Sequence, residues 1–153
     1  MASVDYAYKP EDETKAARAM GYEMAISFKY AVEICTVLRG KGIDEAVDYL
    51  EKVMEKKKAV PMKKHNKKVG HKNLETNWAA GRYPQKAAKH ILKVLKNLDS
   101  NAEYKGLDKE NLVIVHAQAK KGRVQKRYTP RAFGRATPKF KVLTTVEFVA
   151  EAR

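Results

Sequence analysis

The spacing of apolar positions in the first two thirds of the chain predicts one strand and three helices. Apolar residues alternate in the segment 16–26, which is typical of a half-buried strand. The predicted inner face of this strand consists of Met20, Tyr22, Met24 and Ile26. Apolar residues then recur at helical spacing in the segments 27–40, 43–54 and 84–98, and each of these is expected to form an amphipathic helix.

The ends of the predicted helices carry residues suited to those positions. Ser27 is expected to cap the first helix by accepting a hydrogen bond from a free backbone N–H group. Gly40 and Gly42 bracket the turn between the first two helices, and Pro84 stands where a first helical turn tolerates a missing N–H group. The third helix has an apolar side and a basic side, and the basic side consists of Lys86, Lys89, Lys93 and Lys96.

The last third of the chain changes from a helical to an alternating pattern. The segments 112–119 and 140–149 predict two strands, and the second has Phe140, Val142, Thr144, Val146 and Phe148 on one face. About 20 mostly polar and basic residues separate the two strands, which is too many for an ordinary hairpin turn. This linker is either disordered or a two-stranded ribbon, and a ribbon would need an anionic partner because an isolated one is only marginally stable in water.

The distribution of charge indicates a polyanionic partner. The 153 residues are enough for one domain and carry a formal net charge of +14. Residues 1–51 have a net charge of −4, whereas the remaining 102 residues have +18. Eight lysines lie in residues 56–72 and nine bases in residues 111–146, and neither segment contains an acid. Because ordinary protein surfaces intersperse the two signs, a bound polyanion is the simplest explanation for these segments.

The residue types that carry catalysis or metal binding are sparse. The four histidines have no metal-ligand spacing, so each is expected to be structural or on the surface. Cys35, the single cysteine, lies on the apolar stripe of the first helix, where a small hydrophobic role is expected. The segment 38–42 (LRGKG) follows a helix rather than a strand and is typical of a helix end, not of a nucleotide loop. We therefore expect no enzyme activity, no cofactor and no metal site.

The sequence also bears on location. No apolar run approaches the roughly 20 residues of a membrane span, and acids stand near the N-terminus where a signal peptide would be basic and apolar. A single cysteine suits a reducing compartment. These features predict a soluble intracellular protein without a membrane partner.

The segment 120–141 (KKGRVQKRYTPRAFGRATPKFK) combines forked cationic groups with flat rings. Its arginines recur every four residues, at Arg127, Arg131 and Arg135. Guanidinium groups suit phosphates, and the rings of Tyr128 and Phe133 suit stacking on exposed bases. The alternative is a disordered solubilising loop, in which more acids and serines would be typical.

The lysines of residues 56–72 predict a second phosphate-contacting segment, although a run of charge is also common on solvated surface. Trp78 and Tyr83 follow this run and would either anchor it on the body or stack on a base, and we favour the anchor.

Several strings spread over nearly the whole chain match the pattern of one family. They are Ser27–Lys29, Leu38–Lys41, Ile43–Leu50, Lys86–Ala102 and, most specifically, Tyr128–Ala136 (YTPRAFGRA). On these residues the chain resembles the universal large-subunit ribosomal protein numbered twenty-two in bacteria. The segment 55–83 is longer and richer in lysine than the short bacterial link and matches no bacterial motif, which favours the archaeal and eukaryotic form.

The resemblance implies an α+β fold, with three helices packed on a small antiparallel sheet and a long protruding β-hairpin. It implies one domain over residues 1–153, with a basic extension at about 55–83 and a hairpin arm at about 120–141. The implied protein is a structural component of the cytoplasmic large ribosomal subunit that binds large-subunit rRNA and supports its assembly. Its arm would help to line the nascent-peptide exit tunnel.

Carried onto this chain, the resemblance and the basic segments give one set of candidate rRNA-binding residues: Lys63, Lys64, Lys67, Lys68, Lys72, Lys120, Lys121, Arg123, Lys126, Arg127, Arg131, Arg135, Lys139 and Lys141. The tunnel-lining tip would consist of Arg127, Tyr128, Thr129, Pro130, Arg131, Ala132, Phe133, Gly134 and Arg135. The expected partners are rRNA, neighbouring ribosomal proteins and the nascent polypeptide, and no homo-oligomer is expected.

Other classes of protein remain as alternatives. A general basic nucleic-acid-binding protein would share the same charge pattern. A helix-turn-helix DNA regulator would use the two helices around Gly40 and Gly42, but the second helix displays acids that would repel DNA: Asp44, Glu45, Asp48 and Glu51. An RNA-modifying enzyme would need a general base or a cofactor loop, and the sequence contains neither in recognisable form.

Overall fold

The computed structural model describes residues 5–74 and 76–152. In these residues the chain forms three α-helices, one 3₁₀-helix and seven β-strands. The helices are α1 (Phe28–Leu38), α2 (Ile43–Met54), α3 (Gln85–Tyr104) and the 3₁₀-helix Lys109–Asn111. The strands are β1 (Ala16–Met24), β2 (Val60–Pro61), β3 (Gly81–Arg82), β4 (Leu112–Gln125), β5 (Tyr128–Pro130), β6 (Ala136–Pro138) and β7 (Lys141–Ala152). The predicted α+β fold class is confirmed.

Strand β7 is the centre of a three-stranded antiparallel sheet. β1 and β4 pair with its two sides, so that Phe148 lies opposite both Ala19 and Ala117. The face of β7 that carries Val146, Phe148 and Ala150 is buried in the hydrophobic core. α3 packs on β1, α1 packs on β4, and α2 packs on α3, so the helices cover this one face. The predicted last strand is present with Val146 and Phe148 on the core face, whereas Phe140 precedes β7 and is exposed.

The inner face predicted for the first strand is wrong. Of the four residues expected to face inward, only Ile26 is buried, and it lies beyond the end of β1. The buried residues within the strand are small ones, including Ala17 and Ala19. Small side chains are needed here because α3 approaches closely: a Cβ atom on Gly21 would lie 2.7 Å from Cγ2 of Val94. Met20 and Tyr22 are less buried than these small residues, whereas Met24, beyond an irregularity in the strand, packs against the core.

The three predicted helices are confirmed, with one error at a helix start. Each buries the apolar stripe expected for it, and α3 continues to Tyr104. Ser27 stands at the N-cap of α1 with extended backbone, but its hydroxyl makes no capping hydrogen bond. Ser27 lies instead in the lining of two adjoining surface clefts, so the start of α1 opens onto a concave surface.

The segment 55–83 folds against the body. β2 and β3 pair in an antiparallel fashion, and the N–H group of Met62 donates to the carbonyl of Ala80 at 2.9 Å. An isolated bridge joins His71 to Ala80, and β2 contacts α1. The basic extension is thus a folded loop on α1.

The segment 120–141 forms a protruding hairpin. β4 and β7 continue past the body as a pair as far as Gln125 and Lys141, and β5 and β6 then pair up to the turn. Between these two ladders the N–H group of Lys139 donates to the carbonyl of Arg127 at 2.6 Å. Of the two possibilities left by the sequence, disorder or a ribbon, the chain adopts the ribbon.

Candidate nucleic-acid interface

The arm, residues 120–141, presents its cations to solvent. Residues 123–141 are all exposed, and they include seven of the predicted rRNA-binding residues: Arg123, Lys126, Arg127, Arg131, Arg135, Lys139 and Lys141. Tyr128 and Phe140 meet edge to face with ring centroids 5.9 Å apart, which stiffens the middle of the arm. The arm therefore holds an acid-free row of cations away from the body.

Two cations at the base of the arm have partners within the protein. The Nζ atom of Lys120 lies 2.8 Å from a carboxylate oxygen of Glu147, and the Nε atom of Arg123 lies 3.5 Å from an oxygen of Glu23. Lys120 is only partly exposed, so its charge is largely compensated. The Arg123 side chain is mostly exposed, and a screened surface pair of this kind holds it weakly.

The tip of the arm is a tight turn around Phe133 and Gly134. Both residues have positive φ angles, +58° and +64°, and the N–H group of Arg135 donates to the carbonyl of Ala132 at 3.4 Å. Positive φ at both central residues is the signature of a type I′ hairpin turn, for which Asn-Gly is the preferred pair. Here the first position holds a phenylalanine whose side chain is 96% exposed. The ring gains no packing in exchange for this conformation, which is a reason to expect that it contacts a partner.

Glu33 of α1 holds the folded loop in place. Its carboxylate is buried and accepts hydrogen bonds from the backbone N–H groups of Lys63, Lys64 and His65 at 3.1, 2.8 and 2.9 Å. The side chains of the predicted loop lysines, Lys63, Lys64, Lys67, Lys68 and Lys72, are all exposed. The loop thus turns its backbone donors inward to one acid and its ammonium groups outward.

Trp78 anchors the other side of this loop. Its indole N–H donates to the carbonyl of Met62 at 2.9 Å. This contact agrees with the anchoring interpretation of Trp78 rather than with base stacking. Tyr83 has Lys72 beside its ring, with the Nζ atom 6.0 Å from the ring centroid.

A second buried acid, Glu147 of β7, fastens the N-terminal segment across the other face of the sheet. The carboxylate accepts from the N–H group of Ala7 at 3.2 Å and lies 2.9 Å from Nε2 of His116. Tyr8 stacks on the His116 ring with a centroid distance of 5.4 Å. Sequence reasoning missed both Glu33 and Glu147, because each acid meets partners that are distant along the chain.

The lysines of α3 form a third cationic surface. Lys86, Lys89, Lys93 and Lys96 are exposed, as predicted. The pKa of His90, which stands among them, is lowered, first by partial burial and then by the neighbouring ammonium groups. This direction is expected where the local potential is positive, since such a potential disfavours the protonated imidazole.

The described residues bear on metal binding, on thiol chemistry and on membrane crossing. Residues 5–74 and 76–152 contain no group of three or more His, Cys, Asp or Glu side chains able to hold a metal ion. Burial raises the pKa of the Cys35 thiol to about 12, so it is protonated at neutral pH and unsuited to nucleophilic chemistry. No helix within those residues has the length and apolar character needed to cross a bilayer.

Proteins of one family are similar to this chain over nearly its whole length. The family model described as "Ribosomal protein L22p/L17e" matches residues 19–151. The protein named large ribosomal subunit protein uL22 from Archaeoglobus fulgidus is 71% identical over 153 residues, which cover 100% of this chain and 99% of that protein. Proteins of the same name from Methanocaldococcus jannaschii and Methanosphaera stadtmanae are 50% identical over 137 residues and 47% identical over 144. These cover 90% and 94% of this chain, and 88% and 94% of the two relatives.

Proposed function

The chain belongs to the ribosomal protein L22p/L17e family in its archaeal form, and we propose that it binds large-subunit rRNA through its basic surfaces. As a member of this family it is a non-enzymatic component of the cytoplasmic large ribosomal subunit. In this role it supports assembly of the subunit, and its arm helps to line the nascent-polypeptide exit tunnel. Its partners are rRNA, neighbouring ribosomal proteins and the growing peptide.

The observation that carries the proposal is the exposed, acid-free arm. Residues 111–146 contain nine bases and no acid, and residues 123–141 project from the body with no protein surface packed over them. A two-stranded ribbon gains little stability by itself, and its cations repel one another. RNA phosphates along the ribbon remove that repulsion and release counterions, which favours binding.

The proposed contacts fall into two groups. The arm and the folded loop supply phosphate contacts through the exposed members of the candidate set, with Arg127, Arg131 and Arg135 at the centre. At the tip, Tyr128 and Phe133 supply flat surfaces, either for stacking on a base or for the tunnel wall. Glu33 supports the first group indirectly, because it fixes the loop that carries Lys63 and Lys64.

The acidic N-terminal third has a different role in this proposal. Residues 1–51 hold ten acids against six bases. Asp44 and Glu45 lie in the first turn of α2, where negative charge is favoured by the helix dipole. The exposed Asp44 and Glu45 are suited to a basic neighbouring protein rather than to RNA.

Sedimentation of native extract through a gradient at about 0.5 M salt tests the proposal, because loosely held basic proteins are stripped by ion competition at that salt concentration. We expect the chain to cosediment with large ribosomal subunits. Recovery at the top of the gradient, or association with DNA at low salt only, would instead indicate a general basic nucleic-acid binder.

Substitution of the arm arginines tests the contacts themselves. Replacing Arg127, Arg131 and Arg135 with Ala is expected to weaken binding to large-subunit rRNA and to reduce its log–log salt slope by about 2 to 3, at roughly 0.7 to 0.9 for each phosphate contact. Binding isotherms at four salt concentrations measure this slope. A slope equal to that of the wild type would exclude these arginines from phosphate binding.

A further inference from the structure

A continuous groove crosses the start of α1 and joins the arm to the folded loop. One cleft of about 840 Å³ lies between the first turns of α1 and α3 and the base of the arm. A second cleft of about 510 Å³ lies between the start of α1 and the folded loop. Ser27, Lys29 and Tyr30 line both clefts, so the two form one concave surface, here called the α1 groove.

The α1 groove is cationic along its whole length. The first cleft is lined by Lys29, Lys86, Lys121 and Lys141, and the second adds Lys64, Lys67 and Arg82. Among the described residues that line either cleft there is no acid. The first turns of α1 and α3, which open onto the groove, also contain no acid. A concave surface with cations of one sign concentrates anions more strongly than a flat one, because its walls exclude water.

Aromatic rings lie between these cations. Phe28, Tyr30, Tyr83 and Phe140 line the groove and are half-buried or exposed. The Nζ atom of Lys121 stands 5.5 Å from the centroid of the Phe28 ring. Rings beside ammonium groups are the combination by which proteins bind unpaired nucleic acid, since bases stack on the rings and phosphates meet the cations. In a duplex the bases are already stacked on one another and are not available to stack on these rings.

We propose that the α1 groove binds an unpaired segment of large-subunit rRNA, with one or more bases stacked on Tyr30, Phe28 or Tyr83 and the adjoining phosphates on Lys29 and Lys86. This site rests on the proposed rRNA-binding function and adds to it. Lys29 and Lys86 stand outside both the basic extension and the arm, and the fold alone brings them together.

Photo-crosslinking of the full chain to archaeal large-subunit rRNA transcribed with 4-thiouridine tests the site directly. We expect adducts on Phe28, Tyr30 or Tyr83 by mass spectrometry, at nucleotides that chemical probing identifies as unpaired. Adducts confined to the arm and the folded loop, or groove adducts to paired nucleotides, would overturn the proposal. Adducts confined to the arm and loop would still leave the proposed function standing.

The variant Lys29→Gln/Lys86→Gln gives a quantitative test, because both side chains are exposed and their loss is not expected to unfold the protein. With about 0.7 in salt slope for each contact to single-stranded nucleic acid, loss of two contacts reduces the slope by about 1.4 and the affinity about 25-fold at 0.1 M salt. The matched control is Lys9→Gln/Lys15→Gln, which removes two exposed lysines that line neither cleft and lie outside the three cationic surfaces.

The outcomes separate the site from the general function. A larger loss of rRNA affinity and salt slope for the groove pair than for the control supports the site. Equal losses overturn it, because they would mean that the lysines act only through the overall positive charge of the protein. A groove pair without effect, while the arm arginine variant still weakens binding, overturns the groove alone. Absence of rRNA binding by the wild-type chain overturns the proposed function itself. If a zero-length carbodiimide reagent joins Lys29 or Lys86 to a protein carboxylate in intact subunits, the occupant is an acidic protein segment and the RNA proposal is wrong.

Discussion

Phe133 provides a test of whether the tip of the arm is built for contact rather than for folding. Its φ of +58° lies in the left-handed region, which costs an ordinary residue about 1–2 kcal/mol and which Asn and Gly adopt readily. Because the ring is 96% exposed, the substitution Phe133→Asn removes almost no packing. The net expected gain is about 1 kcal/mol in the stability of the hairpin turn, which corresponds to about a fivefold change in its opening equilibrium.

Hydrogen exchange of the free protein measures this gain. The N–H groups of Arg131 and Lys139 donate across the arm, to the carbonyls of Arg135 and Arg127 at 2.8 and 2.6 Å, and report on its opening. We expect their protection to rise about fivefold in Phe133→Asn, while amides of the central strand are unchanged. Phe133→Ala is the matched control, because it removes the ring but leaves a residue that disfavours the left-handed conformation.

Two results would refute this reasoning. Protection in Phe133→Asn equal to that of the wild type would mean that the turn is not strained. Equal protection in the Asn and Ala variants would mean that the ring, and not the backbone, sets the opening. For rRNA binding we expect both Phe133→Asn and Phe133→Ala to be weaker than the wild type, because both remove the ring. The expected loss in binding free energy is up to the roughly 1–3 kcal/mol of one stacked ring.

Three further predictions concern the body. Glu33→Gln removes the negative charge that accepts hydrogen bonds from three N–H groups, so we expect the unfolding free energy from urea titration to fall by about 2–3 kcal/mol. Hydrogen exchange at residues 63–65 should become faster, and unchanged exchange there would count against the role of Glu33. Gly21→Val raises strand propensity but places its side chain against α3, so we expect the free energy of unfolding to fall by about 1–3 kcal/mol. Tyr22→Val, at an exposed position, is expected to leave the free energy of unfolding nearly unchanged. A more stable Gly21→Val protein would contradict the packing argument. Cys35, with its pKa raised to about 12, stays protonated below that pH and is expected to react with a thiol reagent at pH 8 only as fast as the protein unfolds; rapid reaction would contradict its burial.

The hydrophobic pattern alone predicts those helices and strands whose buried residues are large, apolar and regularly spaced along the chain. The stripes of α1, α2 and α3 and the alternation of β7 each recur within a few residues, so the sequence predicts them well. The pattern does not identify the inner face of β1, because alternation is read from large apolar residues, whereas the close approach of α3 selects Ala and Gly. Small residues give a weak hydrophobic signal even where they are fully buried.

The acids and the groove could not be predicted for a related reason. Glu147 meets the N–H group of Ala7, 140 residues away, and Glu33 meets a loop about 30 residues away. Local patterns contain no information on such pairs, and a lone acid in a strand or helix is ordinarily on the surface. The cations of the α1 groove come from four separate segments, so only the three-dimensional arrangement separates Lys29 and Lys86 from the other lysines.

The sharing of β7 between the body and the arm has a mechanical consequence. Its outer end pairs with β4 in the arm, whereas residues from Val146 to Glu151 pair with β1 in the body. Antiparallel hydrogen bonds lie perpendicular to the strands, so a pull along the arm loads the bonds between β1 and β7 together, in shear, rather than one after another. The arm is therefore fixed at its base to the central strand of the sheet. A force that pulls the arm away from the body is resisted by the pairing of β7 with both β1 and β4.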